Sequence, residues 1–457
     1  MSITSYSLTN SNIITTHVSQ KQRVVLYAII LAALICWSPF NLLAYVAPFL
    51  VLGWLVIWGR DFRLLNRAVM GLCLWITMTV FYPLINPDFQ FANALISLVT
   101  WAGLVVLLIL PASRLSGDWL YLKAQKVAWI ILAIEAVWGI VQGVYGYTQT
   151  GIFDLANGDF VEGTIHPQLQ AELAYSNVMF AINIALLLLF LFPSFVQRPS
   201  WQKIFIYMLG LLSFVMASVV HVILYLSAAG VVAFFITYGI RLRLSRLFGF
   251  GVVFGSIFLI AWILLPRNLS MIEKFGRQLL QGEVPKSQSV LVALREMPED
   301  YGYLPLIGLG PGQYASRAGL ISTGRYFGGR DPRQAAYLPN QFTESQQKYL
   351  RPLWEWHVSN RYFGSTQVPY FSWLAIYTEW GLFGWFVIGG VLFKIMKSIG
   401  RLERKCHFEK WSLYTAVILF FLLGFQENNW EIPQAWFSGL LFFKVIYGVC
   451  RQRCTQF

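Results

Sequence analysis

Charge is what this sequence lacks first. Only 12% of its 457 residues are Asp, Glu, Lys or Arg, about half the roughly 25% usual in soluble domains, and that scarcity excludes a soluble globular enzyme. Cysteine is scarce too: Cys36 and Cys73 lie in apolar runs, and Cys406, Cys450 and Cys454 lie among basic residues. None falls between 266 and 370, so no disulfide framework and no CxxC zinc spacing is offered, and no metal ligand set is expected. No small-residue cleavage site follows the first apolar run, so 1–23 reads as a short disordered cytoplasmic tail rather than a signal peptide. Acidic residues are fewer than basic ones, 21 against 34. In a soluble protein the net charge of +13 would point to nucleic acid; here the basic residues sit in short clusters between apolar runs, which is the positive-inside pattern of membrane proteins, and no nucleic-acid partner is implied.

What the chain has instead is apolar length, 57% hydrophobic residues. Runs able, or nearly able, to cross a bilayer core of about 30 Å occur at 24–40, 41–58, 68–86, 92–111, 127–148, 173–196, 204–220, 222–240, 247–265, 371–396, 411–425 and 432–450. The fold class is therefore an all-α polytopic membrane protein of about twelve spans. The stretch 204–240 would be about 55 Å long as one helix. Arg198 and Lys203 precede it and Arg241, Arg243 and Arg246 follow it, so both ends belong on one side and it crosses twice, with His221 near the turn.

The basic clusters Lys21/Arg23, Arg60/Arg63/Arg67, Arg114/Lys123/Lys126, Lys397/Arg401/Arg404/Lys405 and Arg451/Arg453 alternate onto one face, the cytoplasmic one. Both termini fall there. Asp88, Asp154, Asp159, Glu162, Glu427 and Glu431 mark the opposite face, and so does the polar segment 266–370. The organisation expected is a tail at 1–23, spans over 24–265, a long external loop with short helices over 266–370 between the ninth and tenth spans, spans over 371–450 and a tail at 451–457. Loops beyond about 12–15 residues are usually functional or disordered, which makes this one the candidate active region.

Within it, Val290, Leu291, Ala293, Leu294 and Met297 recur at helical spacing and predict a short amphipathic helix; a further helix is expected over 341–356. Arg317, Arg325, Arg330, Arg333, Lys348, Arg351 and Arg361 form a cationic surplus on the face where positive charge is otherwise avoided. Such a set suits an anion, since guanidinium forks match phosphate, although each Arg could equally be solvated or paired with a nearby acid. Gly308, Gly310 and Gly312 do not keep GxGxxG spacing and read as a tight turn. Glu135, Gln142 and Glu379 sit inside apolar runs, where polar groups are expensive and need partners.

The string Pro305-Leu306-Ile307-Gly308-Leu309-Gly310-Pro311-Gly312-Gln313-Tyr314 resembles the Pro-Leu-x-Gly-x-Gly-x-Gly-x-aromatic string in the long periplasmic loop of bacterial O-antigen ligases and O-antigen or exopolysaccharide polymerases. Gly163-Thr164-Ile165-His166-Pro167 and Glu379-Trp380-Gly381-Leu382-Phe383-Gly384 are similar to two other segments of that family. The resemblance implies an inner-membrane protein that polymerises or transfers glycans carried on undecaprenyl diphosphate, with no cofactor, metal or nucleotide sugar. It also implies loop arginines on the lipid diphosphate and a loop His as base. Its partners would be the lipid-linked glycan, the bilayer and other polysaccharide-assembly proteins.

Where ligases carry that His this chain has Tyr370, and Lys286 stands nearest to the arginine expected ahead of the amphipathic helix. The eighth span reads Leu226-Ser227-Ala228-Ala229-Gly230 where the family has Ser-Arg-Gly. These departures favour a divergent polymerase over a ligase. They leave His357 as the first candidate base and His166 as its rival on titration range, with Glu379 as a third candidate; Arg325, Arg330, Arg333, Arg351 and Arg361 are the diphosphate candidates. Pro305, Gly308, Gly310, Gly312, Tyr314, Gly381 and Gly384 are the structural signature. The competing readings are a transporter of a small anion or lipid-linked glycan and a non-catalytic assembly subunit.

Overall fold

In lipid every backbone N–H and C=O must be satisfied within the protein, which leaves apolar runs little choice but helix. The computed structural model describes residues 20–151, 160–169, 176–239, 266–323, 342–359 and 367–455, with 255, 259 and 262 as isolated positions. Among the described residues there is helix and no strand. The long helices are α1 (Gln20–Cys36), α2 (Asn41–Ile57), α3 (Phe62–Phe81), α4 (Phe91–Ile109), α5 (Asp118–Thr150), α6 (Ser176–Gln197), α7 (Trp201–Met216) and α8 (Val220–Tyr238). Next come α9 (Pro266–Gln281) and the short α10 (Pro285–Leu291), α11 (Arg317–Ser322) and α12 (Arg351–Ser359), then α13 (Ser372–Gly400), α14 (His407–Leu423) and α15 (Pro433–Thr455).

Six of the described helices are long and apolar enough to cross a membrane: α3 with its extension to Leu84, α4, α5, α6, α8 and α13. Helices α2 and α7 are apolar but shorter. The expected split of 204–240 is present, as α7 and α8 meet at a turn around Ser218, whose φ is 56°, and His221 follows at the start of α8. Apart from its three isolated positions, the expected ninth span at 247–265 lies outside the described residues.

The bundle is built around α6, 89% of whose most apolar window is buried among α5, α7, α14 and α15. One end gathers the short basic loops: Arg114 pairs with Asp61 at 3.0 Å, Arg453 with Asp118 at 2.7 Å, and Lys444 donates to Leu110 O at 3.0 Å. The other end carries a cap made from 285–323, 342–359 and 367–370, with an apolar core of its own. Val292, Met297, Leu304, Leu309, Tyr314 and Trp354 are buried there against Trp373 and Trp430. The predicted amphipathic helix is α10, continued by one π turn over Val292–Glu296 and a short helix at Met297–Asp300. The helix expected over 341–356 begins later, with a π turn at Gln346–Leu350 leading into α12.

The cap is seated on a break in α13. Gly381 leaves helical geometry (φ 61°, ψ −157°), and the turn at 308–310 enters the gap. Leu309 N donates to Thr378 O at 2.8 Å and Gly310 N to Glu379 O at 3.0 Å, so the backbone groups freed by the break are taken up by the loop. A Cβ on Gly308 would lie 2.2 Å from the carbonyl carbon of Glu379, and Gly308 has φ 73°. Glycine is needed there for approach as much as for turning. Gly308→Ala is expected to lower the melting temperature of the purified protein by several degrees. Left-handed backbone costs about 1–2 kcal/mol and overpacking about 1–3 kcal/mol. A melting curve that coincides with wild type would show the seat to be slack.

Candidate functional site

Three polar assemblies lie at the capped end, and each answers a question posed by the sequence. The first is the seat of the glycine string. Glu379 Oε2 accepts from Gly312 N at 2.6 Å, and its Oε1 accepts from Tyr314 N at 3.2 Å and Ser316 N at 3.0 Å. The sequence places Glu379 near the start of its helix, where it could favour the dipole or orient an arginine. The break at Gly381 instead makes it the end of the first helical segment, and its oxygens gather backbone N–H groups that would otherwise be buried without partners. Tyr82 Oη donates to Ile307 O at 2.7 Å, Asn86 Nδ2 to Leu309 O at 2.9 Å, and Gln313 exchanges two bonds with the backbone of Gln90. Pro305, Gly310 and Tyr314 are thereby fixed between α3, α4 and α13, and Gly384 leaves room for the Trp380 and Ile376 side chains of its own helix on the other side of the break. Both carboxylate oxygens of Glu379 are engaged by backbone N–H groups, so the part this assembly visibly plays is to position the loop.

Beside it, Glu431 Oε2 accepts from Arg317 N at 3.0 Å and Thr100 Oγ1 at 3.2 Å. Burial, reinforced by the charge of Glu379, pushes its carboxyl up to about 8. The Arg317 guanidinium lies 5.6 Å from the Tyr45 ring centre.

The second assembly supplies partners for the polar residues of α5. Glu135 Oε2 accepts from Thr164 N at 2.9 Å, and the Thr164 hydroxyl bonds the same carboxylate. Gln142 Oε1 accepts from Glu162 N at 3.0 Å and Gly163 N at 2.7 Å, while its Nε2 donates to His166 O at 2.8 Å. A Cβ on Gly163 would sit 2.3 Å from Glu135 Oε2, which explains the glycine. His166 Nδ1 lies 2.5 Å from Glu162 Oε2. His166 thus belongs to a segment clamped onto α5, engaged with its own neighbouring acid.

The third assembly brings together residues far apart in sequence. Lys286, on α10, is buried, and its Nζ donates to Gln426 O and, at 3.4 Å, to Phe425 O. It lies 5.4 Å above the Phe371 ring. Burial lowers its ammonium to about 7, opposed by the nearby charge of Glu427. His357, on α12, is 9% exposed; burial, and then the charge of Lys286, lower its imidazole to about 4. Trp354, one turn earlier, has its ring 5.6 Å from His357 and stacks on Tyr370, also at 5.6 Å. His221, at the start of α8, lies within electrostatic reach of the same lysine. The two positions where the resemblance expects a cation and a histidine, occupied here by Lys286 and Tyr370, therefore both lie against α12, the lysine acting on His357 through its charge and the tyrosine stacking on Trp354.

The expected arginine cluster divides. Arg351 is half-exposed and forms an ion pair with Glu355 at 2.7 Å on its own helix, an arrangement worth about 0.3–0.5 kcal/mol. Lys348 pairs with Asp300, which Tyr349 Oη also reaches at 2.6 Å. Arg325, Arg330, Arg333 and Arg361 lie outside the described residues. Sequence reading met Lys286 only as the residue nearest to an expected arginine and Glu427 only as a marker of the outer face; both sit in polar stretches, which carry no local sign that the two side chains are buried together.

Comparison with known proteins adds no assignment. No family model matches the chain, and no curated protein is detectably similar to it. The chemistry of the third assembly has to speak for itself: a buried lysine, an imidazole that its charge reaches, and a carboxylate whose charge acts on the lysine. This set can stabilise developing negative charge and accept a proton in one place.

Proposed function

We propose that this chain is a bacterial inner-membrane protein, both termini cytoplasmic, that extends or transfers undecaprenyl-diphosphate-linked oligosaccharide on the periplasmic face. The observation that carries this reading is that Lys286 and His357 are both buried, on helices α10 and α12 that pack together, with the lysine's charge reaching the imidazole. In the proposed reaction the acceptor hydroxyl attacks the anomeric carbon of the lipid-linked sugar, and the bond from that carbon to the diphosphate oxygen breaks. His357 takes the hydroxyl proton, while Lys286 offsets the charge that grows on the leaving diphosphate. Glu427 steadies the cation, and Trp354 with Tyr370 offers an aromatic wall of the kind against which sugar rings pack. The family resemblance of the glycine string supplies the substrate class, and in that family the reaction takes no metal or cofactor.

A transporter would use the break in α13 as its binding site, since discontinuous helices commonly expose backbone groups to a transported ion. Here Leu309 and Gly310 already occupy those groups, which favours the enzyme. The test is incubation of the purified protein, in detergent, with lipid-diphosphate-linked repeat units. Chain growth or transfer without nucleotide or ion gradient is expected. Inert substrate in detergent, together with gradient-dependent uptake into vesicles, would replace the enzyme with a transporter.

A further inference from the structure

Away from the cap, at the end of the bundle where the basic loops gather, α5, α6 and α7 enclose a groove of about 360 Å³, within the range of small-ligand sites. Its α5 wall is a stripe at helical spacing. Leu122, Ile130 and Ala133 are its apolar members, and Gln125, Lys126 and Trp129 bring polar groups and an indole into the same stripe. Ser194 of α6 and Lys203 and Ile206 of α7 close the other side. Lys203 Nζ is held by Ser194 Oγ at 3.2 Å and Arg198 O at 3.1 Å, so its charge is fixed at the groove. Lys126 is exposed and makes no hydrogen bond or ion pair among the described residues. Among the described residues, none that lines the groove is acidic.

We infer that this groove binds the phosphodiester headgroup of an anionic glycerophospholipid. Two lysines with no carboxylate between them ask for an anion. The apolar side chains ask for something attached to it: Leu122 and Ile130, one turn to either side of Lys126, are 56% and 51% exposed on a helix long and apolar enough to span a membrane. A phosphate that carries acyl chains satisfies both demands, with the chains lying along α5, whereas free phosphate would leave the apolar stripe uncovered. Basic pockets between helices near the cytoplasmic surface hold anionic headgroups in this way, and Trp129 lies near the basic-loop end of α5, the kind of place where an indole favours the interface. The inference rests on the membrane character of the bundle and not on the chemistry of the cap.

The experiment is native mass spectrometry of the full chain, purified in neutral detergent and titrated with phosphatidylglycerol or with phosphatidylcholine of the same acyl chains. Selective retention of phosphatidylglycerol is expected, weakened about fivefold by Lys126→Ala and lost in the pair Lys126→Ala/Lys203→Gln. Glutamine at 203 keeps a donor for Ser194 and Arg198, and an unchanged melting temperature in lipid-free detergent will show that the variants are folded. Equal retention of the two lipids, or undiminished binding by the double variant, would overturn the inference. Displacement of the lipid by millimolar inorganic phosphate would do so too, since it would reduce the site to a simple anion contact.

Discussion

Glu379→Ala is expected to give no folded protein on extraction. The carboxylate of Glu379 is the sole side-chain acceptor among the described residues for the N–H groups of Gly312, Tyr314 and Ser316. The three donors lie in a stretch, 310–316, that is buried throughout. Leaving a buried donor unsatisfied costs about 1–3 kcal/mol, so three together approach the entire stability of a typical protein, about 5–15 kcal/mol. Glu379→Gln separates geometry from charge. Its amide oxygen can keep the two bonds made by Oε1, but the amide nitrogen then faces Gly312 N–H across a 2.6 Å contact, donor against donor. That variant is expected to fold with a markedly lower melting temperature. Size-exclusion profiles in detergent and thermal melts measure both outcomes. Monodisperse, wild-type-like behaviour of Glu379→Ala would show that the glycine string holds its place without the carboxylate, and would reopen Glu379 as a residue kept for chemistry.

Six spans were legible because a run of apolar residues must become helix in lipid, and the split near Ser218 because like charges at both ends of 204–240 argue against one continuous helix. The need of Glu135 and Gln142 for partners was legible as well, since a polar group inside an apolar run cannot stay unpaired. Who the partners are was not. The Gly163–His166 segment that answers them lies on the far side of a connection whose path no local rule specifies. The break in α13 was hidden for a related reason: Gly381 lies in an apolar run that reads as unbroken helix, and it departs from helix because the 306–310 backbone packs into it. Glycine spacing showed that the string turns, while the surface it turns against became visible only in three dimensions. The same holds for the site. Lys286, His357, Tyr370 and Glu427 share no period and no motif; burial of α10 against α12 and of both against the start of α13 brings them together.

The pH–rate profile of the proposed transfer reaction tests that convergence most directly. A base works above its pKa and a cation works below its own. With His357 lowered to about 4 and Lys286 lowered to about 7, both groups are in their working forms between those values, so activity is expected to rise through the acid limb, hold through mildly acidic pH and fall as pH passes 7. Lys286→Met removes the cation at every pH and is expected to reduce turnover by about 10²–10³-fold, the usual effect of deleting one electrostatic stabiliser. His357→Gln is expected to lose about 10²–10⁴-fold and to flatten the acid limb in the residual rate. Lys286→Arg is the discriminating variant. A guanidinium stays protonated across the accessible range, so activity that survives should keep its acid limb and lose the alkaline one. That outcome cannot arise if Lys286 merely braces Phe425 and Gln426, because a structural lysine replaced by arginine would change the height of the profile and leave its shape alone. An alkaline limb that stays in place in Lys286→Arg, or an acid limb that survives His357→Gln, would move the chemistry elsewhere in the cap.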